Sequence, residues 1–345
     1  MLRVAIVGAT GYTGCELTRL LVGHPEVEIS VLTSRQYAGK PISEVFPSLR
    51  GRIDLQCRTP SVEEISEDSD FIFTAVPHKT AMEVVPRFLK TGKRVIDLSA
   101  DFRFRDRRVY ERWYQPHTSP ELLKDAVYGL PELYRERIRG AHLVGNPGCY
   151  PIGAILPIVP LIKEGIISYD GIIIDSKSGV SGAGRELSME THFCEVHGGL
   201  KAYKILEHRH CPEIEQELSC AVSHPISVIF TPHLIPMNRG ILTTIYGELA
   251  RKETTEAVLK RVEGFYRGEP FVRVCPLGTF PKTSDVRGSN FCDIGLQVDS
   301  QRGKLIAISA IDNLVRGASG QAVQNMNIMC GFPEVMGLEA LGLYP

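Results

Sequence analysis

The first 150 residues alternate between short apolar runs and amphipathic stretches. Apolar runs at 4–8, 27–33, 71–76 and 94–98 have the length of buried strands, and residues 12–23 place leucines at helical spacing. A further helix is predicted over 80–90. Strands that alternate with helices indicate a parallel, doubly wound sheet, so the chain is predicted to begin with an α/β domain.

Beyond about residue 149 the apolar runs become longer and alternate with polar positions. Residues 171–175, 227–230, 240–249, 290–298 and 305–311 are predicted strands of an antiparallel or mixed sheet. Helices are predicted over 254–266 and 313–330. We therefore expect a first domain over 1–148, an α+β domain with a mixed sheet over 149–312, and a C-terminal helix, 313–345, that returns to the first domain.

Composition and charge exclude several classes of function. Lysine and arginine number 39 against 40 aspartates and glutamates, so no global field favours nucleic acid or a membrane surface. The longest apolar stretch, 150–162, contains three prolines and is too short to span a bilayer. The nine cysteines form no CxxC pair, which argues against a disulfide framework and a metal site. Free thiols and the absence of a signal peptide favour a cytoplasmic protein.

The first predicted strand runs into a glycine-rich loop and then into a helix. The loop, Gly8-Ala-Thr-Gly-Tyr-Thr-Gly14, is a GxxGxxG variant of the dinucleotide-binding turn. Glycines let the backbone approach a pyrophosphate, and the helix N-terminus supplies amide donors. This context predicts a Rossmann-like domain with cofactor contacts from Gly8, Thr10, Gly11, Tyr12, Thr13 and Gly14.

The end of the second predicted strand indicates which dinucleotide binds. An NAD-specific fold usually has an acidic residue there, whereas this chain continues with Ser34 and Arg35. A guanidinium can pair with the 2′-phosphate that distinguishes NADP, so NADP is the predicted cofactor. The alternative is that Arg35 is an ordinary surface arginine.

A candidate nucleophile lies at the predicted domain boundary. Cys149 stands in Gly145-Asn-Pro-Gly-Cys-Tyr-Pro151, and a helical run follows. Proline is favoured in a first helical turn, so the cysteine is expected at a helix N-terminus. Such a position favours the reactive thiolate, and the same N–H groups could hold an oxyanion. The alternative is a small buried cysteine of the core.

Two histidines lie just before a second predicted helix, in His208-Arg-His-Cys-Pro-Glu-Ile214. Histidine exchanges protons near neutral pH and suits a thiol nucleophile as acid–base partner. We expect one of the pair to be catalytic, with a slight preference for His208 over His210. Cys211 is predicted to cap the helix and Pro212 to begin it.

Further motifs carry a resemblance that covers nearly the whole chain. They are GATGYTG at 8–14, SADFR at 99–103, YGLPEL at 128–133, GNPGCYP at 145–151, SGVSGAGR at 178–185, HRHCPEI at 208–214, PHLIPMNRG at 232–240 and GQAVQNMN at 320–327. Together they resemble the family of N-acetyl-gamma-glutamyl-phosphate reductases of arginine biosynthesis. GNPGCYP and HRHxPEI are specific motifs, whereas GxxGxxG alone is not.

The resemblance implies roles that the residues alone leave open. It makes Cys149 the thioester-forming nucleophile and places Arg103, Asn146 and Arg185 near an acyl phosphate substrate. Ser181 and Gly182 would border the cofactor, and Asn325 would contact its nicotinamide. For Arg103 the alternative is a structural salt bridge with Asp101, and for Asn325 an exposed position on a helix.

The implied function is NADPH-dependent reduction of N-acetyl-L-glutamyl 5-phosphate to the semialdehyde, with release of phosphate, by a homo-oligomer (dimer or tetramer). The nearest alternative is the same chemistry on aspartyl phosphate or a carrier-linked aminoadipyl phosphate. A non-catalytic NADP sensor and a scaffolding protein are more distant alternatives, because neither would use the Cys149 motif.

Overall fold

A computed structural model describes residues 1–344. The chain divides into two compact units. The first contains Met1–Pro147 and Ala318–Glu339, and the second contains Gly148–Gly317 together with residues 340–344.

The first unit is built on a seven-stranded parallel sheet. Its strands are β1 (Leu2–Val7), β2 (Val27–Thr33), β3 (Cys57–Arg58), β4 (Phe71–Thr74), β5 (Arg94–Asp97), β6 (Val127–Tyr128) and β7 (Leu143–Gly145). They lie in the order β3-β2-β1-β4-β5-β7-β6, and every described pair is parallel. The order runs outward in both directions from β1, so the predicted doubly wound α/β sheet is confirmed.

Helices connect these strands because a parallel pair needs a crossover. They are α1 (Tyr12–Leu21), α2 (Ile42–Val45), α3 (Val62–Asp68), α4 (Ala81–Lys90), α5 (Arg107–Trp113) and α6 (Pro131–Arg139). Helix α3 begins with a capping box, in which the Ser61 hydroxyl accepts from Glu64 N and the Glu64 carboxylate accepts from Ser61 N. All four residues of β4 are buried, which explains why the first three are apolar.

The second unit contains a mixed sheet. In chain order its elements are α7 (Cys149–Lys163), β8 (Ile172–Gly179), α8 (Phe193–Val196), β9 (Lys201–Ala202), α9 (Cys211–Val222), β10 (Val228–Ile235), β11 (Ile241–Glu248), α10 (Thr255–Phe265), β12 (Val272–Val274), α11 (Thr283–Val286), β13 (Cys292–Asp299) and β14 (Lys304–Ile311). The strand order is β12-β13-β14-β11-β8-β10-β9. Strand β8 pairs in parallel with β10 and antiparallel with β11, so the predicted mixed sheet is confirmed.

One face of the mixed sheet is covered by helices and the other carries exposed apolar side chains. Helix α7 packs on β11 and β14, flanked by α9 and α10. On the uncovered face, Ile229, Ile173, Tyr246 and Ile306 follow one another across β10, β8, β11 and β14 in register. They are 51%, 39%, 42% and 36% exposed respectively. We call these four residues the apolar row.

The chain after β14 differs from the single helix predicted over 313–330. Val315–Ser319 form a π-helical turn, and the α-helix α12 covers Gly320–Cys330. Helix α12 packs on α6 and α1 of the first unit, where the Arg94 guanidinium donates to the carbonyl of Met329. Residues 340–344 lie with the second unit, where Leu343 N donates to Arg287 O at 2.7 Å. None of the helices in residues 1–344 is long and apolar enough to cross a membrane.

Candidate active site

Cys149 is the first residue of α7, the position that its sequence motif predicts. Gly148 precedes the helix in an extended conformation, with φ −71° and ψ 155°. The thiol is partly exposed, whereas the rest of the helix from Tyr150 to Ile162 is buried. The nucleophile candidate therefore stands at the accessible end of an otherwise buried helix.

A buried carboxylate fixes the start of this helix. Glu213 on α9 is wholly buried, and its Oε1 accepts a hydrogen bond from Gly148 N at 2.8 Å. The first N–H groups of a helix have no partner within the helix, so this contact satisfies one donor of the turn that carries Cys149. Sequence reasoning did not assign Glu213 a role, although it is the glutamate of the HRHCPEI motif.

His208 belongs to a chain of hydrogen bonds that passes through two tyrosines. Its Nδ1 accepts from His210 N at 3.2 Å, and its Nε2 lies 3.4 Å from the Tyr203 hydroxyl. The Tyr203 hydroxyl lies 3.0 Å from that of Tyr150, which donates to His233 O at 3.4 Å. One set of donors satisfies the whole chain: Nε2–H of His208 donates to Tyr203, Tyr203 to Tyr150, and Tyr150 to the carbonyl.

This environment keeps His208 neutral. Burial lowers the pKa of His208 to about 3, and the charges of Lys204 and Arg209 act in the same direction. Burial also raises the pKa of Tyr203 to about 12 and that of Tyr150 further, with a contribution in each case from negative charge on Cys149. The two tyrosines are therefore neutral hydroxyls, and negative charge on the nearby thiol opposes their ionisation.

His210 has a different environment from His208. It is half-buried and immediately precedes α9, and its ring centroid lies 4.9 Å from that of His208 and 5.9 Å from that of Tyr150. The prediction that Cys211 caps α9 is wrong by one residue. The helix begins at Cys211, and the N-cap residue is His210, with φ −83° and ψ −14°.

The glycine loop of the first unit is shaped by close backbone approaches. Gly8 has a φ of +94°, and a Cβ there would lie 2.5 Å from Ala75 O. A Cβ on Gly14 would lie 2.4 Å from Gly8 O, whereas one on Gly11 would have no neighbour nearer than 3.9 Å. Gly11 precedes α1, and no side chain caps that helix. The loop thus leaves open the approach to an uncapped helix N-terminus, which fits a dinucleotide pyrophosphate.

Two other predicted cofactor residues of the first unit, Thr10 and Ser34, lie just beyond the ends of β1 and β2. The hydroxyls of Thr10 and Ser34 are 2.8 Å apart. Arg35 follows in an exposed loop, and its guanidinium has no ion-pair partner among residues 1–344. Tyr12 begins α1 and is 39% exposed, and the carbonyl of Thr13 accepts from Ser319 Oγ at 2.9 Å.

Asn325, Asn146 and Arg103 form one buried network in the first unit. Asn325 Nδ2 donates to Gly129 O at 2.9 Å and to Asn146 Oδ1 at 3.1 Å. Arg103 Nε donates to Asn146 O at 2.7 Å, and its Nη2 donates to Leu98 O at 3.0 Å. The alternative of an exposed helix position for Asn325 is wrong, because Asn325 is wholly buried.

The side-chain oxygen of Asn325 is an acceptor without a partner. Asn325 Oδ1 is buried and has no hydrogen-bond partner within residues 1–344, so an acceptor is available for an amide donor such as the nicotinamide carboxamide.

The Asp101 carboxylate lies near the start of α4. Asp101 accepts from Lys79 N and Met82 N at the start of α4 and from the Tyr110 hydroxyl. The carboxylate of Asp101 thus supports α4.

The predicted loop 178–185 continues from β8 in the second unit. Ser181 Oγ accepts from Asn313 Nδ2 at 2.9 Å, and a Cβ on Gly182 would lie 3.2 Å from Ser178 Oγ. Arg185 is exposed beyond the next turn. In the described part of the chain, no group of three or more His, Cys, Asp and Glu side chains is placed to hold a metal ion.

Comparison with known families assigns both units. Residues 3–141 match the model of the semialdehyde dehydrogenase NAD binding domain. Residues 149–313 match the model of the semialdehyde dehydrogenase dimerisation domain.

Solved structures show the same fold at low sequence identity. Aspartate semialdehyde dehydrogenase II of Vibrio cholerae, complexed with ASA, superposes with a TM-score of 0.73 at 19% identity, over 96% of this chain and 98% of that one. The Candida albicans aspartate semialdehyde dehydrogenase with NADP gives a TM-score of 0.69 at 16% identity, with 96% and 98% of the chains covered.

Much closer similarity is found to curated proteins that carry the name N-acetyl-gamma-glutamyl-phosphate reductase. The protein of Geobacter metallireducens is 60% identical over 346 aligned positions, and that of Desulfotalea psychrophila is 56% identical over the same length. Both alignments cover 100% of each chain. The chain belongs to the N-acetyl-gamma-glutamyl-phosphate reductase family, within the semialdehyde dehydrogenases.

Proposed function

We propose that the protein reduces N-acetyl-L-glutamyl 5-phosphate to N-acetyl-L-glutamate 5-semialdehyde in arginine biosynthesis, with release of phosphate. The observation that carries the proposal is the position of Cys149. It begins α7, where Glu213 accepts from Gly148 N and where the ring of the next residue, Tyr150, contacts His208 and His210. Relatives at 56% and 60% identity carry that reductase's name.

The chemistry assigned to the chain's own residues begins at Cys149. Its thiolate attacks the acyl carbon, the C–O bond to phosphate breaks, and an acyl thioester forms. NADPH, when bound, supplies the hydride that reduces the thioester carbonyl. The C–S bond of the resulting hemithioacetal then breaks, which releases the aldehyde and restores the thiolate.

His210 is the acid–base group in this proposal, although the sequence alone slightly favoured His208. In the donor chain described above, the lone pair of His208 Nδ1 accepts from a backbone N–H and its Nε2 carries the proton. A proton could be taken up only if one of these contacts broke, and burial lowers the pKa of His208 to about 3. His208 therefore positions Tyr203, and His210 exchanges the proton with the hemithioacetal oxygen.

The cofactor proposed is NADP rather than NAD. The loop from Gly8 to Gly14 would hold the pyrophosphate, and Thr10, Ser34 and Arg35 would surround the 2′-phosphate. Asn325, through its buried Oδ1, and the loop of Ser181 and Gly182 would hold the nicotinamide end. An exposed arginine and no acid after β2 support this preference.

For the substrate we propose contacts from Arg103, Asn146 and Arg185. Arg103 is buried and its Nε donates to Asn146 O, so its guanidinium lies beside the backbone of the residue three positions before the nucleophile. In this proposal the positive charge of Arg103 attracts the acyl phosphate.

We assign cofactor binding to the first unit, and catalysis and self-association to the second. The match to a dimerisation domain supports an oligomer, and we propose a homodimer built on the apolar row. Four exposed apolar side chains on adjacent strands suit burial against a second copy of the same face. The proposed compartment is the cytoplasm.

A side-by-side assay tests the substrate. The enzyme is run in reverse, with phosphate and NADP, on N-acetylglutamate semialdehyde and on aspartate semialdehyde. We expect reduction of NADP with the first aldehyde, dependent on phosphate, and little with the second. Preference for aspartate semialdehyde would overturn the assignment in favour of the aspartyl phosphate alternative.

A further inference from the structure

A π-helical turn follows β14 and brings backbone against the nucleophile. Val315–Ser319 form this turn, and π turns are rare and are found frequently at functional sites. A Cβ built on Gly317 would lie 2.8 Å from Cys149 Cβ and 3.3 Å from Cys149 Cα. Real Cβ atoms do not approach other carbons so closely, so only glycine fits at position 317 without a shift of its neighbours.

The turn is fixed by the buried carboxylate of Asp312, which pairs with a partly exposed arginine. Asp312 is wholly buried, and its carbonyl accepts from Gly317 N at 2.9 Å. Its carboxylate accepts from Leu314 N and Val315 N at 2.8 and 3.0 Å. The same carboxylate pairs with Arg239 Nε at 3.1 Å. Gly317 is therefore held in place and cannot easily yield to a larger side chain.

We propose that Gly317 is a positioning residue for the reaction of Cys149: the bare Cα of Gly317, presented by the π turn, forms the wall that holds the thiol at the first turn of α7. An added methyl group at this position displaces the Cys149 side chain from the first-turn amides. The inference rests on the proposed function only in taking Cys149 as the nucleophile.

The first test is the variant Gly317→Ala. A displacement of about 1 Å at a reacting group can cost about a hundredfold in rate, so we expect kcat to fall by roughly that factor, with the Michaelis constant for NADPH unchanged. Alkylation of Cys149 by iodoacetamide is followed by peptide mass spectrometry. In Gly317→Ala this alkylation should slow more at about pH 7 than at about pH 9, because the displaced thiol loses the helix start that favours its thiolate.

Two control variants separate positioning from packing. Gly153→Ala adds a methyl group further along the same helix, 3.3 Å from Thr243 Oγ1 and 3.4 Å from Ser309 Oγ, so it disturbs α7 without touching the thiol. Gly264→Ala in α10 has no neighbour within 4 Å. Both should retain the alkylation profile of the wild type.

A double-mutant cycle identifies the contact itself. Gly317→Ala should lower the melting temperature when it is introduced into the wild-type chain. The decrease should be smaller when it is introduced into Cys149→Gly, because the opposing Cβ is absent there. If Gly317→Ala does not fold, the double variant should recover folding. An equal loss in both backgrounds, or failure of both to fold, would overturn the inference.

The alkylation and melting measurements need no substrate. An altered alkylation profile in Gly317→Ala therefore supports the inference even if the enzyme proves inactive on N-acetylglutamyl phosphate, an outcome that would overturn only the substrate assignment. Wild-type turnover and wild-type alkylation in Gly317→Ala would overturn the inference and leave the proposed function intact.

Discussion

At the residue scale, two histidines separated by a single arginine have different environments. His208 accepts a backbone hydrogen bond and contacts the Tyr203 hydroxyl, so its protonation would disrupt a formed network. His210 lies at the start of α9, with its ring against that of Tyr150. This difference in environment is the reason that we propose positioning for His208 and proton transfer for His210.

The pH dependence of the free energy of unfolding tests whether His208 is neutral in the folded protein. Burial lowers the pKa of His208 from the usual 6.5 to about 3, so between these values the unfolded chain binds the additional proton. The contribution of neutral His208 is complete above pH 6.5 and is lost as the pH falls towards 3. We expect His208→Asn to flatten the dependence of the free energy of unfolding on pH within this window.

Urea denaturation at several pH values measures this dependence. Asp97 titrates with the opposite sign, because burial first, and Asp101 second, raise its pKa to about 6. That contribution cancels in the difference between wild type and variant. Parallel pH profiles for the two proteins would contradict the assignment of a neutral, buried His208.

We also propose that a single residue, Arg35, decides between NADP and NAD. Arg35 is exposed and is the charged group after β2, so Arg35→Ala should raise the Michaelis constant for NADPH by at least about tenfold, the value of a hydrogen bond to a charged group. The constant for NADH should change little. Arg52→Ala, another exposed arginine of the first unit, is the control. Equal losses with both cofactors would refute the role of Arg35.

At the element scale, the start of α7 depends on α9. The contact between Glu213 and Gly148 N joins residues that are 65 positions apart in sequence. A helix start is usually satisfied by a side chain just before the helix, and here glycine provides none. The supporting group comes instead from the helix that follows the histidine pair.

Two substitutions of Glu213 separate its hydrogen bond from its charge. Glu213→Ala leaves Gly148 N buried without its acceptor and should cost about 1–3 kcal/mol of unfolding free energy, with a lower kcat. Glu213→Gln retains an amide oxygen and should recover most of both. Glu217→Gln, at a buried glutamate one turn later, should leave kcat unchanged. Normal turnover in Glu213→Ala would show that the contact is dispensable.

Whether a strand could be predicted from the sequence depends on what its residues contact. In the first unit, β1, β2, β4 and β5 were predicted because they are largely apolar, whereas β3, β6 and β7 have only two or three residues and were not predicted. Strands β8 and β10 extend further than predicted. Ser176 is buried against the Thr243 hydroxyl at 2.9 Å, and Pro232 continues β10 while its carbonyl accepts from Tyr203 N at 3.1 Å.

The candidate site was predictable to the extent that it is local in sequence. The motif around Cys149 contains its own helix start, and the glycine loop contains its own turn. The contact of Glu213 with Gly148 and the approach of Gly317 to Cys149 join distant segments, so no local pattern predicts them. The choice between the two histidines depends likewise on Tyr203 and on burial.

At the scale of the whole molecule, the mixed sheet carries the surface that we propose for self-association. Its covered face packs on α7, α9 and α10, and its other face carries the apolar row. The net charge of −1 neither opposes nor favours a second copy. Burial of the apolar row is therefore the term that would stabilise the proposed dimer.

A charge in the apolar row should disrupt that dimer. Tyr246 lies opposite both Ile173 and Ile306, so Tyr246→Asp places a carboxylate at the centre of the proposed interface. Sedimentation velocity should show a dimer for the wild type and a monomer for the variant. Leu277→Asp, at a residue that is 53% exposed outside the row, should remain dimeric. A dimeric Tyr246→Asp variant would exclude this face, and a larger wild-type species would indicate a further interface.

The most direct test of the account is to trap the thioester on Cys149. Wild-type enzyme given N-acetylglutamyl phosphate without NADPH should gain the mass of the acyl group on the peptide that contains Cys149 and on none of the eight other cysteines. Cys149→Ser should form no such adduct and should lose at least about a thousandfold in turnover. His210→Asn should still be acylated, but it should turn over more slowly than His208→Asn. Acylation of another cysteine, or normal turnover in Cys149→Ser, would contradict the mechanism.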